Sequence, residues 1–421
     1  MHLMKSWVES ANSATTDFPL NNLPYGVFSQ GGNDPHCGVA IGDQILDVTL
    51  AEQTGILKPA DHPVFGVPYW NSFMGLGPDA WAAFRDDLQG LLSEKSAKRP
   101  TLEPFLVSMV TVEMHIPFAV SEYTDFYASQ HHALNVGTML RGADNALPPN
   151  WLHMPIGYNG RASSVVVSGS GIRRPWGQLK PLGQDVPHFA PTRRFDFELE
   201  MGAIVGKSSE GMVTVKEADQ MIFGYVLLND WSARDVQGWE YQPLGPFQAK
   251  ATATSISPWI VTTAALKPFR TLTPHREVDL LPHLLEPGPM LYNIALDVAL
   301  APAGKPATMI TQTNYAQMYY SAPQQLAHHT TSGCPMTVGD LLGSGTITGP
   351  DRTSRGSLLE LSWGGQDPIL LDTGESRSFL EDGDTVILSG AAVGNGFRIG
   401  FGTCAGTILA AQDNPYRREN E

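Results

Sequence analysis

The chain has 421 residues, 16% of them charged, and a formal net charge of -15 at pH 7. Such a negative charge disfavours nucleic acid and anionic membrane surfaces as partners, and it means that an anionic substrate needs a local basic pocket. The 42 glycines and 32 prolines favour a turn-rich, largely β protein over a helical bundle or a disordered chain.

Cysteines and apolar runs narrow the class further. Cys37, Cys334 and Cys404 are far apart and odd in number, which indicates neither a disulfide framework nor a thiolate zinc site. The N-terminus has no signal-peptide pattern, and no apolar run approaches the length of a membrane span. We therefore expect a soluble cytoplasmic protein without a membrane or nucleic-acid partner.

The first hundred residues predict a small β domain with one helix. Strand candidates at residues 25–28 and 38–41 are separated by turn signals, as in a small barrel or meander. Pro78 then stands at the first turn of the clearest helix in the chain, residues 78–92, whose apolar side chains fall on one face.

The rest of the chain predicts a larger, β-rich domain. A linker-like change in composition at residues 95–104 places the boundary near Pro117, which gives predicted domains of residues 1–117 and 118–421. Beyond it, short strand patterns recur and helices are few, which is typical of an all-β or β-rich roll. These predicted strands are residues 164–168, 223–228, 259–261, 293–298, 358–362, 385–388 and 396–401.

Residues 195–201 alternate apolar and acidic side chains with the period of a strand, so Asp196, Glu198 and Glu200 are expected on one face. Three such carboxylates repel one another and are costly to desolvate. A divalent cation, a basic side chain or open solvent must therefore neutralise them. The alternative is a solvated outer face of an antiparallel strand.

Two aspartates extend this acidic set. Asp125 lies between aromatic residues, and Asp230 follows an apolar run, where a buried strand ends and ligands commonly gather. Together with Glu198 and Glu200 they offer carboxylate oxygens without sulfur or imidazole, a set that selects Mg²⁺ or Ca²⁺ over Zn²⁺. The alternative for Asp230 alone is a turn or helix-capping aspartate.

Longer motifs follow one another along the chain. They are residues 125–137 (Asp-Phe-Tyr…His-Ala…Asn-Val-Gly), 157–164 (Gly-Tyr-Asn-Gly-Arg-Ala-Ser-Ser), 229–235 (Asn-Asp-Trp-Ser-Ala-Arg-Asp), 239–247 (Trp-Glu-Tyr-Gln-Pro-Leu-Gly-Pro-Phe) and 345–350 (Gly-Thr-Ile-Thr-Gly-Pro). In this order they closely resemble the fumarylacetoacetate hydrolase family, over roughly residues 15–412.

The resemblance implies a fold and an activity. The expected fold is mainly β, with a small N-terminal SH3-like barrel before a large β-rich roll with few helices. The expected protein is a homodimer that binds Mg²⁺ or Ca²⁺ and a small-molecule diketo acid. It would hydrolyse a carbon–carbon bond of this 1,3-diketo acid to fumarate and acetoacetate, in the last step of tyrosine and phenylalanine degradation.

The resemblance also implies residue roles. The metal set is Asp125, Glu198, Glu200, Asp230, Lys250 and Thr254. Because an ammonium group cannot ligate a cation, we expect Lys250 to serve as a charge partner or oxyanion donor. The catalytic set is the general base His132, its orienting carboxylate Glu360, and the donors Arg234, Gln237 and Lys250. The substrate contacts are Tyr127, Arg141, Tyr158, Gln237, Tyr241 and Thr346.

Several alternatives remain at this stage. On a strand, His131 and His132 would point to opposite sides, and the family spacing selects His132. Glu360 has the alternative of a polar strand residue, and the site tyrosines that of packing residues. Ala253 departs from the family, which usually has glycine there. For the function, the alternatives are a related acylpyruvate hydrolase, decarboxylase or isomerase, and a non-catalytic calcium-stabilised β protein.

Overall fold

An antiparallel five-stranded sheet forms the N-terminal part of the computed structural model, which describes residues 2–181 and 183–416. Its strands are β1 (Tyr25–Ser29), β2 (His36–Ile41), β3 (Gln44–Asp47), β4 (Leu106–Ser108) and β5 (Glu113–His115). They pair in the order β4-β3-β2-β1-β5 and form a curled half-barrel, as expected for the small N-terminal barrel.

Helices pack against this half-barrel. They are α1 (Val48–Gln53), α2 (Asn71–Met74), α3 (Pro78–Leu92) and α4 (Arg99–Leu102). The predicted helix 78–92 is confirmed: Pro78 occupies its first turn, and Phe84, Leu88 and Leu92 lie on its buried face. The aromatic core beside it includes Tyr25, whose ring stacks on that of Trp70 with centroids 4.3 Å apart.

Most of the remaining chain is β structure. Its strands are β6 (Tyr123–Phe126), β7 (Gly157–Asn159), β8 (Val165–Val167), β9 (Gly171–Arg173), β10 (Trp176–Leu179), β11 (His188–Pro191), β12 (Phe195–Asp196), β13 (Leu199–Val205), β14 (Ile222–Asp230), β15 (Ser232–Ala233), β16 (Thr254–Ile256), β17 (Val261–Thr262), β18 (Arg270–Thr271), β19 (Leu291–Tyr292), β20 (Ala295–Ala301), β21 (Thr308–Asn314), β22 (Leu341–Gly343), β23 (Ile369–Leu370), β24 (Ser376–Arg377), β25 (Thr385–Val393) and β26 (Arg398–Leu409). The fold is therefore mainly β, as predicted.

Two sheets dominate this part. One runs in the order β7-β6-β22-β13-β14-β16-β8, with β17 also paired to β14, and the other in the order β21-β20-β25-β26-β9. Strand β14 is buried along its whole length. Val226 and Leu228 pack into the N-terminal core, whereas Tyr225 and Leu227 pack into the C-terminal core. Burial on both faces fits the uninterrupted apolar run of this strand, as opposed to the alternation of a half-exposed strand.

The helices of this part are short. They are α5 (Gln130–Arg141), α6 (Val215–Met221), α7 (Arg234–Glu240), α8 (Thr263–Leu266), α9 (Ala322–Thr330) and α10 (Leu358–Leu361). Within residues 2–181 and 183–416, none of the helices is both long and apolar enough to cross a membrane.

Two strand predictions are wrong. Residues 358–361 form the helix α10, because the Ser357 hydroxyl accepts a hydrogen bond from the Glu360 backbone amide and so caps a helical turn. The acidic stretch 195–201 is also not one continuous strand. It breaks after Asp196, and Glu198 forms only an isolated bridge with Ser357 before β13 begins.

Candidate active site

Three strands of the large sheet bring three carboxylates together. Asp125 lies on β6, Glu200 on β13 and Asp230 at the end of β14, and β22 separates the first two strands. One oxygen from each carboxylate lies within 4.8 Å of the others, and all three side chains are buried. Three buried acids this close repel one another unless protons or a cation neutralise them.

A glycine on the intervening strand leaves room for this cluster. Gly343 of β22 pairs with Asp125 on one side and with Gly202 of β13 on the other. A Cβ atom at this position would stand 2.8 Å from Asp125 Oδ1 and 3.0 Å from Glu200 Oε2. Both distances are shorter than ordinary van der Waals contact, so the carboxylates occupy space that any other residue would fill.

The donor set of the cluster fits a hard divalent cation. Among the described residues, Asp125 Oδ1, Asp230 Oδ1 and Thr254 Oγ1 are buried and accept no hydrogen bond. Thr254 pairs directly with Asp230 across β14 and β16. Buried oxygens without partners are costly, and an ion that prefers oxygen ligands would satisfy them. Asp125, Glu200 and Asp230 are the residues that would hold it.

Burial and mutual repulsion act on the protonation of this cluster. Burial, together with Asp125 and Asp230, raises the pKa of Glu200 well above its usual value. Burial also raises the pKa of Asp230, against the opposing effect of Lys250. A bound cation would reverse this preference, because it stabilises the ionised carboxylates.

Glu198 lies beside this cluster but contacts basic side chains. Lys250 Nζ bonds to Glu198 Oε2 and, at 2.6 Å, to Asp230 Oδ2, and Arg234 Nη2 lies 2.7 Å from Glu198 Oε1. Burial would raise the pKa of Glu198, but Arg234 and Lys250 outweigh it and hold that pKa well below its usual value. Arg234 and Lys250 thus favour the ionised form of Glu198, and Lys250 links it to the acidic cluster.

Tyrosine hydroxyls hold the outer oxygens of the cluster. Tyr123 donates to Asp125 Oδ2 at 2.9 Å, and Tyr158 donates to Asp230 Oδ2 at 2.8 Å and to Asp125 Oδ2 at 3.2 Å. These bonds involve only the Oδ2 atoms, and the Oδ1 atoms of both aspartates keep no hydrogen-bond partner among the described residues. Tyr158 therefore contacts the predicted metal residues directly and is more than a packing residue.

A histidine–carboxylate pair lies next to this cluster. His132 Nδ1 is 2.6 Å from Glu360 Oε2, and both side chains are buried. The other ring nitrogen, Nε2, lies 4.0 Å from Glu198 Oε1 and lines the cavity described below. A carboxylate on one ring nitrogen fixes the imidazole tautomer and stabilises the imidazolium, which suits the other nitrogen to accept a proton.

His132 belongs to a helix, and the strand argument used to choose between His131 and His132 is wrong. Helix α5 begins after Ser129, whose hydroxyl accepts a hydrogen bond from the His132 amide. Adjacent side chains on a helix point about 100° apart. His131 is therefore not on the opposite face: it is a half-buried residue of α5, while His132 lines the cavity.

Polar side chains around Glu360 keep it ionised. Asn135 donates to Oε1 at 2.9 Å, while Thr348 and Ser357 donate to Oε2 at 3.0 and 2.9 Å. Burial would raise the pKa of Glu360, but His132 and these hydrogen bonds outweigh it and lower the pKa. Sequence reasoning assigned no role to these donors. The spacing of His132 and Asn135 would have placed both on one face, had the segment been recognised as a helix.

Helix α7 carries a second group of donors. Arg234 Nη1 donates to Gln237 Oε1 at 3.1 Å, which leaves the Gln237 amide nitrogen outside this bond. Tyr241 caps the C-terminal end of the same helix. One short helix thus places Arg234, Gln237 and Tyr241 along the cavity wall.

Arg141 lies at the C-terminal end of α5 and lines the same cavity. Its Nε and Nη2 donate to the carbonyl oxygens of Asn145 and Ala146 at 3.1 and 2.6 Å, and Nη1 takes part in neither bond. Gly137 permits this arrangement, since a Cβ there would stand 1.9 Å from the Ala146 oxygen. The two carbonyl oxygens therefore fix the orientation of the Arg141 guanidinium. Tyr127 also lines the cavity.

A cavity of about 400 Å³ joins these groups. The predicted site residues on its wall are Asp125, Tyr127, His132, Arg141, Tyr158, Glu198, Glu200, Arg234, Gln237, Tyr241, Lys250 and Thr346. Three further site residues do not line the cavity. Glu360 bonds to His132, Asp230 bonds to Lys250 and Tyr158, and Thr254 pairs with Asp230. Ala253, the departure from the family pattern, is buried in the apolar core. The structure thus brings together every residue that the sequence singled out for the site.

Asp196 takes a different place from the one expected. It does not join Glu200 in the acidic cluster, because strand β12 ends at Asp196 and its carboxylate accepts a hydrogen bond from Arg234 Nε at 2.9 Å.

Family models match both parts of the chain. The model described as "Fumarylacetoacetase N-terminal" matches residues 21–117, and the one described as "Fumarylacetoacetate (FAA) hydrolase C-terminal" matches residues 122–409.

Curated relatives match nearly the whole chain. A fumarylacetoacetase from Bos taurus is 49% identical over 406 residues, which cover 94% of this chain and 97% of the bovine protein. One from Dictyostelium discoideum is 47% identical over 425 residues, covering 98% and 99% of the two chains. Among solved structures, a fumarylacetoacetate hydrolase from Exiguobacterium antarcticum has a TM-score of 0.55 at 16% identity, covering 92% of this chain and 99% of that chain. This last likeness concerns the fold.

The space at Gly343 gives a first testable prediction. In Gly343→Ala, the added Cβ displaces Asp125 and Glu200, so we expect Mg²⁺, Ca²⁺ or Mn²⁺ to bind at least about tenfold more weakly. Isothermal titration of the chelator-treated protein measures this affinity. Gly90→Ala is the matched control, because a Cβ there meets nothing within 4 Å. Equal affinity in the two variants would contradict the assignment of the metal site.

Proposed function

The chain belongs to the fumarylacetoacetate hydrolase family, and we propose that it hydrolyses fumarylacetoacetate to fumarate and acetoacetate. The observation that carries the proposal is the pairing of two devices on one cavity: the His132–Glu360 pair and the acidic cluster of Asp125, Glu200 and Asp230. A hydrolase needs the first to activate water, and a carbon leaving group needs strong electrostatic stabilisation.

Water activation is the proposed task of His132. Water is a poor nucleophile at neutral pH, so Nε2 takes one of its protons while the oxygen adds to the carbonyl carbon of the substrate. Glu360 remains ionised on Nδ1 and stabilises the imidazolium that forms. The carbon–carbon bond then breaks, its electron pair leaves with the acetoacetate part, and the proton returns from His132 to that carbon.

Charge that develops on oxygen meets donors already in place. Arg234 and Lys250 are buried cations, and Gln237 lies beside Arg234 on the cavity wall. In a site shielded from water these donors need little reorganisation, so they stabilise the transition state strongly. A divalent ion held by the acidic cluster would add Lewis-acid polarisation of the diketo oxygens. Glu198, fixed between Lys250 and Arg234, maintains their geometry.

We assign recognition of the substrate carboxylate to Arg141 on the cavity wall. Arg141 is held by the carbonyl oxygens of Asn145 and Ala146, which leaves Nη1 for an anion. A guanidinium with nearby tyrosine hydroxyls suits a terminal carboxylate, and it supplies the local basic pocket that this acidic protein needs. Tyr127, Tyr241 and Thr346 are the further substrate contacts in this proposal.

The remaining assignments are also proposals. We infer Mg²⁺ or Ca²⁺ as the ion, because the cluster offers oxygen donors. A homodimeric assembly, a cytoplasmic location and a domain boundary at residues 117 and 118 stay predictions from the sequence.

Removal of the base should separate the enzyme from a non-catalytic calcium-stabilised protein. In His132→Ala, turnover of fumarylacetoacetate should fall by about 10²–10⁴-fold, the usual contribution of a positioned base. Product formation measures turnover, and circular dichroism verifies folding. His62→Ala, at an exposed position outside the cavity, serves as the control. If His132→Ala and His62→Ala turn over equally fast, His132 is not the base.

Removal of the ion gives a second test. After treatment with a chelator, we expect turnover of fumarylacetoacetate to be lost, because Lys250 and Arg234 alone leave the carboxylate cluster under-neutralised. Addition of Mg²⁺ or Ca²⁺ should restore it. Parallel assays with an acylpyruvate substrate distinguish the related hydrolases. Undiminished turnover in the ion-free protein would rule out the metal-dependent mechanism.

A further inference from the structure

We propose that Asp196 is a positioning residue that joins the two catalytic halves of the site, an inference that rests on the proposed function. Its carboxylate is completely buried. Oδ2 accepts hydrogen bonds from Arg234 Nε at 2.9 Å and from the Leu359 amide at 3.0 Å. Oδ1 accepts from the amides of Leu358 and Phe197 at 2.8 and 2.9 Å. One side chain thus binds both a catalytic cation and a helix start.

The first half of the site depends on how Arg234 is aimed. A guanidinium is a rigid planar fork, so a bond that fixes Nε also fixes the directions of both Nη atoms. Here Nη2 lies 2.7 Å from Glu198 Oε1, and Nη1 donates to Gln237 Oε1 at 3.1 Å. Asp196 therefore fixes the orientation of the Arg234 guanidinium, the group proposed to stabilise the developing oxyanion.

The second half depends on where α10 begins. The first amides of a helix have no partners within the helix, and here Asp196 accepts from those of Leu358 and Leu359. Glu360 follows in the same turn and reaches His132 Nδ1 at 2.6 Å. The carboxylate that sets the start of α10 consequently sets the position of the carboxylate that orients the base.

The combination requires two oxygens and a negative charge. Asparagine offers one accepting oxygen and serine only a hydroxyl, so neither could accept from both helix amides and also give Arg234 Nε a charged acceptor. The neighbouring acid Asp235 does not substitute for it, because its oxygens accept from Thr192 Oγ1 and from the Arg193 amide. Asp196 does not itself line the cavity and is not part of the acidic cluster, so it acts on the reaction only through Arg234 and Glu360.

Asp196→Asn tests this role, since the change keeps the shape and one accepting oxygen but replaces the other oxygen with an amino group and removes the charge. Misaligned catalytic groups cost about 10²-fold in rate, so we expect kcat for fumarylacetoacetate to fall by about that factor while KM changes by less than about threefold. The control is Asp384→Asn. Asp384 is equally buried and accepts from Arg377 Nε and Nη2 at 2.9 and 3.0 Å, away from the site. Its kcat should stay at the wild-type value.

A double-mutant cycle distinguishes positioning from general stabilisation. In an Arg234→Ala background, Asp196→Asn should lower kcat by less than about tenfold, because one of the two groups it positions is absent. The proposal is overturned if Asp196→Asn has the wild-type kcat, or if it lowers kcat equally in both backgrounds. Asp196→Ser, which keeps a small polar side chain without the charge, takes its place if the Asn variant does not fold. If wild type and Asp384→Asn fail to hydrolyse fumarylacetoacetate, the proposed function fails instead.

Discussion

The burial of like charges is the constraint on which the site depends. Asp125, Glu200 and Asp230 come from separate strands of one sheet, and their oxygens lie within 4.8 Å of one another away from solvent. Such an arrangement is stable only when protons or compensating positive charge neutralise the carboxylates. Lys250 supplies part of it, and the unpartnered oxygens show where more is needed. Strand order brings these carboxylates together, Gly343 on β22 leaves room for them, and Tyr123 and Tyr158 donate hydrogen bonds to them.

Short helices supply the groups that the sheet cannot. Helices α5, α7 and α10 carry His132, Arg234 and Glu360 respectively. Helices α7 and α10 are linked, because Asp196 binds both the Arg234 side chain and the first amides of α10. Buried strands thus hold the acidic cluster, while the starts of short helices set the geometry of the proton-transfer groups.

Much of this arrangement could be predicted from the sequence, and the failures have physical causes. The helix 78–92 and the mainly β fold were recognisable from periodicity and composition. The set of site residues came from the family resemblance, since spacing alone cannot show that Asp125 and Asp230 meet. Strand interpretations of residues 358–361 and of the segment around His132 are wrong, because a short run of residues fits a strand or a helix equally well. Capping by Ser357 and Ser129 decided both cases. The role of Asp196 depends on the end of strand β12 at this residue, which the alternation of apolar and acidic residues does not reveal.

Anomalous diffraction from crystals soaked in Mn²⁺ tests the central claim most directly, because it locates a hard cation without reference to activity. We expect one strong peak from an ion ligated by Asp125, Glu200 and Asp230, with His132 Nε2 facing the adjacent cavity and Glu360 bonded to Nδ1. A peak at another place, or no peak at saturating Mn²⁺ with these carboxylates bonded only to protein groups, would contradict it.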